Sequence, residues 1–226
     1  VIYISYGGNV VMNIKYGFNT FLKWSLKILF LVIVYGSIFY MKDEEPEFTL
    51  LSAILFSGSL ILIAITYYSL KTNKNIYLIM GGIIILALVL RIIWFSNIDS
   101  IPVGDFNRMF ICAREFLEGT TYMFKETAYM ARFPHMSITV LYFSLIQKLF
   151  ENPLIVIRVI NIVFSMINVM LLYLLAKEIF RDKDKSIWVL LIGAIYPPMI
   201  IYNNVYCSEN IAIPVLLLSI LMFLKA

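Results

Sequence analysis

The stretch PLIVIRVINIVFSMINVMLLYLLA, residues 153–176, decides the fold class, because it is almost wholly apolar and carries a single charge, at Arg158. A helix needs about 20 predominantly apolar residues to cross the hydrocarbon core of a bilayer. Further runs of this kind lie at 22–41, 48–70, 75–98, 186–208 and 210–224. The sequence therefore predicts an all-α polytopic membrane protein with about six transmembrane helices.

The composition of the whole chain agrees with this class. Of the 226 residues, 62% are hydrophobic and only 14% are charged, and the mean hydropathy is +0.89. Soluble domains are about 45–50% apolar and about 25% charged. These values exclude disorder, coiled coils, collagen and disulfide-stapled secreted modules. The net charge of +4 gives no sign of a nucleic-acid partner, and the two cysteines have no metal-ligand spacing.

The distribution of basic residues predicts the orientation in the membrane. The segment 136–147 is apolar but too short for a crossing. If it does not cross, the basic cluster at 181–185 falls on the cytoplasmic side, as the positive-inside rule requires. We therefore expect a multi-pass plasma-membrane protein with a cytoplasmic N-terminus and a long outer loop, at about 97–152.

The outer loop carries a helical pattern. The apolar residues between Phe106 and Leu117 recur at spacings of three and four, and Gly119 follows as a C-terminal stop. With the short apolar segment, this predicts two amphipathic surface helices in the membrane plane, at about 105–118 and 134–150.

Two carboxylates stand at predicted helix starts on the outer side. Asp105 opens the first amphipathic helix, where local sequence is equally compatible with an N-cap and with a functional role, since Asp is a favoured N-cap. Glu209 heads the last span, where the helix dipole stabilises a carboxylate. Together with the basic residues Arg132, His135 and Arg158 on the same side, they predict a site for a phosphorylated amphiphile.

A polar stripe runs down one face of the 153–176 span. Arg158, Asn161, Ser165 and Asn168 follow one another at spacings of three and four. Polar side chains inside a membrane face protein or water rather than lipid. The stripe is interpreted either as hydrogen-bonding groups between helices or, in a rival reading, as the lining of a transport pathway.

The predicted spans read as continuous helices. Arg91 lies near the outer end of the 75–98 span and is expected to extend its charged end to the interface. Interrupted spans and paired repeats, which are typical of secondary transporters, are not evident in the sequence.

A series of spaced residues follows in a characteristic order along 76–226. It comprises Arg91, Pro102-Val103-Gly104-Asp105, Ala113, Glu118-Gly119, Phe133-Pro134-His135, Lys148-Leu149-Phe150, Arg158-Val159-Ile160-Asn161, Ala176-Lys177-Glu178-Ile179-Phe180, Tyr196-Pro197-Pro198 and Ser208-Glu209-Asn210. This order resembles the membrane-embedded GT-C glycosyltransferases, in the bacterial branch related to protein mannosyltransferases and to the aminoarabinose transferase of lipid A. On this resemblance, 75–226 is a GT-C-like module and 1–74 is an N-terminal extension with two spans.

The resemblance implies an enzyme that takes a sugar from a polyprenyl-phosphate carrier. The sugar passes, with inversion, to a glycan, lipid or protein acceptor of the cell envelope. Asp105 is implied as the general base, Glu209 as a second acidic position, and Arg132 and His135 as ligands of the carrier phosphate, with or without the help of a divalent metal ion.

The family also implies a longer protein than this chain. We therefore expect an N-terminal part that is inactive by itself. Two alternatives stay open at this point: a multi-pass transporter or lipid-handling membrane protein, and a non-catalytic remnant that serves as an assembly partner.

Overall fold

The computed structural model describes residues 46–72 and 75–226, together with the single positions 20, 21, 24, 25, 27–29 and 32. For 46–57 and 59 only the backbone is described. The predicted span 22–41 lies, apart from those single positions, outside the described residues.

Every regular element in the described ranges is a helix, which confirms the all-α class. The order is α1 (Pro46–Lys71), α2 (Ile76–Asn97), α3 (Gly104–Leu117), α4 (Tyr129–Arg132), α5 (Ser137–Leu149), α6 (Pro153–Phe180), α7 (Lys183–Ile195), α8 (Pro197–Ile201) and α9 (Glu209–Lys225). Short 3-10 turns lie at Tyr122–Phe124, Pro134–Met136 and Tyr202–Asn204.

The chain divides into two compact units, Val1–Ile65 and Thr66–Ala226. The division falls inside α1, whereas the boundary expected from the sequence follows residue 74. Of the first unit, the structure describes the N-terminal part of α1 and the few single positions before it. The second unit contains α2 to α9 and all the residues discussed below.

Two helices of the described ranges, α2 and α6, are long and apolar enough to cross a membrane. They correspond to the predicted spans 75–98 and 153–176. The bent pair formed by α7 and the segment Pro197–Asn204 makes a third crossing if it is counted as one span. The larger number of about six spans stays a prediction.

The expectation of one continuous helix over 186–208 is wrong. The chain bends by 52° between Lys183–Ile195 and Pro197–Asn204. The cause is the pair Pro197-Pro198, because proline has no backbone N–H to donate four residues back and its ring clashes with the preceding turn. The break leaves the carbonyls of Gly193 and Ala194 without the donors that a continuous helix would supply.

Helices lie where the two amphipathic segments were expected, and α3 packs against α5. The buried residues of the pair include Met109, Phe110 and Ala113 on α3 and Val140, Phe143 and Ile146 on α5. The rings of Phe110 and Phe143 meet edge to face at 5.9 Å, and Gln147 Nε2 donates to the Phe110 carbonyl at 3.0 Å. Their predicted position in the membrane plane stays a prediction.

A second core joins α2, α6 and α7. Its buried residues include Ala87, Val169, Ile187 and Leu190. Gly193 of α7 lies so close to α6 that a Cβ there would meet the Leu172 side chain at 3.3 Å. Close packing at this point brings the break after α7 against the polar face of α6.

Candidate functional site

The polar stripe of α6 faces the protein interior, as predicted. Arg158, Asn161, Ser165 and Asn168 are each no more than 6% exposed. Asn161 and Ser165 donate hydrogen bonds to backbone carbonyls of the bent segment after α7. The interpretation as hydrogen-bonding groups between elements is therefore confirmed for these two. The side-chain oxygen of Asn168 is buried without a partner among the described residues.

Arg91 is completely buried, so the expectation that it extends to the interface is wrong. Its Nη1 donates to the Ala194 carbonyl at 3.1 Å, and its Nη2 donates to the Gly193 carbonyl at 3.4 Å. These are the two carbonyls that the proline pair leaves unpaired. Its Nε also donates to Ser165 Oγ at 2.8 Å. Arg91 therefore supplies the donors that Pro197 and Pro198 lack, and it connects the break to α2 and α6.

Arg158 lies in the interior near the N-terminal end of α6. Its Nε donates to Asn204 Oδ1 at 3.1 Å, and its Nη1 forms an ion pair with Asp99 at 2.9 Å. Its Nη2 donates to the carbonyls of Ile98, at 2.7 Å, and Phe95. The guanidinium carbon also lies 4.5 Å from the centre of the Phe95 ring. Four hydrogen bonds thus occupy most of the donors of this guanidinium; its contact with a donor phosphate stays a prediction.

The same cluster holds the linker 98–103, which connects α2 to α3. Asn204 Nδ2 donates to the Ile98 carbonyl at 2.9 Å. Ser100 Oγ donates to the Asn204 carbonyl, and the Tyr206 hydroxyl donates to the Ser100 carbonyl at 2.9 Å.

Asp99 is an acidic residue that the sequence reasoning missed. Its side chain is 98% exposed, although it pairs with a guanidinium that is 6% exposed. A signal was available, since a buried cation in a membrane protein calls for an anionic partner or carbonyls. Asp99 is the first acidic residue after the span that contains Arg91.

Asp105 lies in the first turn of α3 and is exposed. The helix begins at Gly104, and its N-cap residue is Val103, so the N-cap interpretation of Asp105 is wrong. The pKa of the Tyr129 hydroxyl is raised above its ordinary value. The main cause is a hydrogen bond to the Asp105 carboxylate, and burial is the second cause. The carboxylate is therefore open to solvent on one side and is held by a neutral donor on the other.

Contacts continue from Tyr129 to the predicted phosphate ligands. The rings of Tyr129 and Phe133 lie 5.0 Å apart, and those of Phe133 and His135 lie 6.3 Å apart. Arg132 belongs to the same short helix as Tyr129, and both Arg132 and His135 are exposed. These contacts connect Asp105 with His135 through Tyr129 and Phe133, and Arg132 lies on the same short helix as Tyr129.

Glu209 is the first residue of α9 and is exposed, and Ser208 Oγ donates to its carboxylate at 3.2 Å. It is not among the residues that the contacts of Tyr129 connect. Its place on the same side of the membrane as Asp105 stays a prediction.

The described residues do not assemble a metal centre. A search of those residues finds no group of three or more His, Cys, Asp and Glu side chains that could hold an ion. The two carboxylates of the predicted site, Asp105 and Glu209, have contacts to Tyr129 and Ser208. We therefore derive no chemical step through a metal.

Comparisons of the chain with protein-family models, with curated proteins and with solved structures find no match.

Proposed function

We propose that the protein is an inverting membrane glycosyltransferase of the plasma membrane. It transfers a sugar from a polyprenyl-phosphate-linked donor to a glycan, lipid or protein acceptor of the cell envelope, on the outer face. Asp105 is the general base, and Arg132 and His135 bind the carrier phosphate. Glu209 is a second acidic residue at the edge of the site. The N-terminus is cytoplasmic.

The observation that supports this proposal best is the contact between Asp105 and Tyr129. It connects an exposed carboxylate in the first turn of α3 with the segment that carries Arg132 and His135. Asp105, Arg132 and His135 are all exposed, which leaves them accessible to the proposed substrates. The first turn of a helix also presents unpaired backbone N–H groups, which favour an anion.

The proposed reaction needs one base and a stabilised leaving group. The acceptor hydroxyl oxygen bonds to the anomeric carbon of the sugar, while the bond from that carbon to the carrier phosphate oxygen breaks. Asp105 takes the hydroxyl proton, and the polyprenyl phosphate leaves with the bonding electrons. Arg132 and the N–H of His135 stabilise the negative charge that develops on that phosphate. Attack opposite the leaving group inverts the anomeric centre.

The helix next to the basic residues suits a lipid-linked donor. Besides its buried face, α5 carries a second apolar row that is exposed, formed by Ile138, Leu141, Leu145 and Leu149. Exposed apolar rows of this kind are stable when they contact lipid tails. A carrier whose phosphate meets Arg132 can therefore lay its hydrocarbon along this row within the membrane.

Replacement of Asp105 by asparagine in the full-length protein tests the proposal. Transfer of label from a polyprenyl-phosphate sugar in membranes should fall by about 10²–10⁴-fold, the usual contribution of a general base. The amide keeps the shape of the side chain and can still interact with Tyr129, but it cannot accept the proton. Glu118→Gln, at the other end of α3, is the matched control and should leave transfer unchanged.

Loss of transfer in Asp105→Asn with normal membrane levels supports the assignment. Full transfer by this variant would remove the proposed base. Arg132→Ala should raise the KM for the donor more than it lowers kcat, if the contact to phosphate is equally strong in ground and transition states.

The bent span favours a second candidate function, a multi-pass transporter or lipid-handling protein. Interrupted helices form substrate sites in many transporters. The Asn203 side chain after the break is fully buried, and neither its nitrogen nor its oxygen has a partner among the described residues. Solute flux into proteoliposomes without sugar transfer would favour this function over the enzyme.

A further inference from the structure

The linker 98–103 leads directly to Asp105, and its first residue is bonded to distant parts of the chain. The Ile98 carbonyl accepts hydrogen bonds from Arg158 Nη2, at 2.7 Å, and from Asn204 Nδ2, at 2.9 Å. Both donors are buried, at 5% and 4% exposure. The start of the linker is therefore fixed to the protein interior by two side chains from different elements.

The next two linker residues are held in the same way. The exposed Asp99 carboxylate pairs with Arg158 Nη1 at 2.9 Å. The Ser100 carbonyl accepts from the Tyr206 hydroxyl at 2.9 Å, and Ser100 Oγ donates to the Asn204 carbonyl. Tyr206 is 2% exposed. Three consecutive linker residues are thus bonded to one buried cluster, which lies on α6 and on the segment after the bent span.

We propose that Arg158, Asn204 and Tyr206 are positioning residues for Asp105. They hold the backbone of the linker in place, and the linker in turn fixes the position of the Asp105 carboxylate. The inference rests on the proposed function and assigns the cluster a different task from phosphate binding. Pro102 adds stiffness between the anchored residues and α3, because its ring fixes φ.

Fixed placement matters because a general base must lie within about 2.6–3.2 Å of the atom whose proton it takes. A misplacement of about 1 Å can lower the rate about 100-fold. Donor binding should change less, because Arg132 and His135 are held by their own ring and backbone contacts. Loosening of the linker should therefore lower kcat and leave the donor KM nearly unchanged.

The decisive variant is Tyr206→Phe, which removes one hydroxyl and keeps the buried ring. The loss of one hydrogen bond, worth about 0.5–1.5 kcal/mol, corresponds to a fall in kcat of roughly three- to tenfold. The donor KM should stay within about twofold of the wild-type value. Tyr202→Phe is the matched control, since Tyr202 lies four residues earlier in the same connection between α8 and α9 but is 46% exposed.

A second measurement reports on the linker without any activity. Amide hydrogen exchange of the peptide that covers 98–104 should be faster in Tyr206→Phe than in wild type or Tyr202→Phe, because a loosened segment opens more often. Arg158→Lys should speed exchange of this peptide more, since a single ammonium group cannot replace a planar guanidinium that bonds to the linker at several points.

The outcomes separate this inference from the proposed function. Faster linker exchange together with lower kcat and constant KM supports the positioning role. Unchanged exchange and unchanged kcat in Tyr206→Phe overturn it, even if Asp105→Asn abolishes transfer. If Asp105→Asn keeps full transfer, the proposed function fails first, and the positioning role fails with it whatever the linker does.

Discussion

The guanidinium of Arg91 donates to the backbone carbonyl of Ala194, 103 positions later in the chain, at 3.1 Å. With its contact to the Gly193 carbonyl, this bond replaces two helical hydrogen bonds that the proline pair removes. A break at membrane depth is tolerated when its free backbone groups are satisfied inside the protein. Arg91 thus stabilises the bent conformation of this span.

Arg91→Met should destabilise the protein strongly, because each buried carbonyl left without a donor costs about 1–3 kcal/mol. The loss is measured as a lower unfolding midpoint in detergent micelles. Arg114→Met, which alters an exposed arginine of α3, should change the midpoint little.

The same change in a background with Pro197→Ala and Pro198→Ala should cost less. The new backbone N–H groups can serve the carbonyls of Gly193 and Ala194, so a coupling of about 0.5–3 kcal/mol is expected in the double-mutant cycle. Strict additivity of the changes would contradict the assigned role of Arg91.

Two asparagines of the α6 stripe should respond differently to replacement by leucine. Asn161 Nδ2 donates to the carbonyls of Asn203 and Val205, each at 3.1 Å, whereas Asn168 has a buried oxygen with no partner in the described part. Asn161→Leu should destabilise by about 1–3 kcal/mol, since it leaves the buried carbonyl of Asn203 unpaired. The Val205 carbonyl still accepts from Asn210 Nδ2 at 2.8 Å. Asn168→Leu should be neutral or stabilising in the same denaturation assay.

Gly104→Ala should lower stability by about 1–2 kcal/mol, because Gly104 has a φ of +56° and the left-handed region is unfavourable for residues with a Cβ. Space is not the reason, since a Cβ there meets nothing within 4 Å. Gly81→Ala inside α2 also meets nothing and should be neutral or stabilising. Comparison of the two unfolding midpoints checks the backbone explanation.

Asp182 should make stability depend on pH in acid. It caps α7 by accepting from the backbone N–H groups of Lys185 and Asp184, and hydrogen bonds from Lys185 lower its pKa below the ordinary value of 3.8. A lowered folded-state pKa contributes stability above the unfolded-state value, and this contribution is lost as pH falls through the folded-state value.

Asp182→Ala should therefore reduce the melting temperature at pH 7, and the difference from wild type should shrink as the pH falls below 3.8. Asp184→Ala serves as the control, since its side chain is exposed. A difference that stays constant with pH would mean that the carboxylate charge is not involved.

The two native thiols should not react with an impermeant maleimide in the folded protein. Cys112 and Cys207 are both buried, and buried thiols in apolar surroundings are unreactive. Mass spectrometry should find both labelled only after unfolding.

Because the native thiols do not react, introduced cysteines can test the predicted orientation. Lys125→Cys and Lys183→Cys introduce exposed thiols on what the sequence predicts to be opposite sides. In intact cells the first should be labelled and the second only after permeabilisation. Equal labelling of both before permeabilisation would contradict the predicted topology.

Local patterns were sufficient for much of the architecture. Hydropathy located α2 and α6, since a run of apolar residues is a property of neighbours in sequence. The spacing of Phe106 to Leu117 predicted α3 to within a residue at each end, because its buried face repeats with the helical period. The burial of the α6 stripe also followed from the sequence, since polar groups avoid lipid whatever their partner is.

The partners of those polar groups were decided only by the tertiary structure. Arg91 and Arg158 look alike in the sequence, since each is a single charge near the end of a span. In the structure, Arg91 donates to a carbonyl at the helix break, whereas Arg158 donates to the linker that precedes Asp105. Their acceptors outside their own helices lie between 46 and 103 positions away, beyond any local period. Hydropathy counts such a charge as a cost, whereas its actual free energy depends on which carbonyls and carboxylates the folded chain brings within about 3 Å of it.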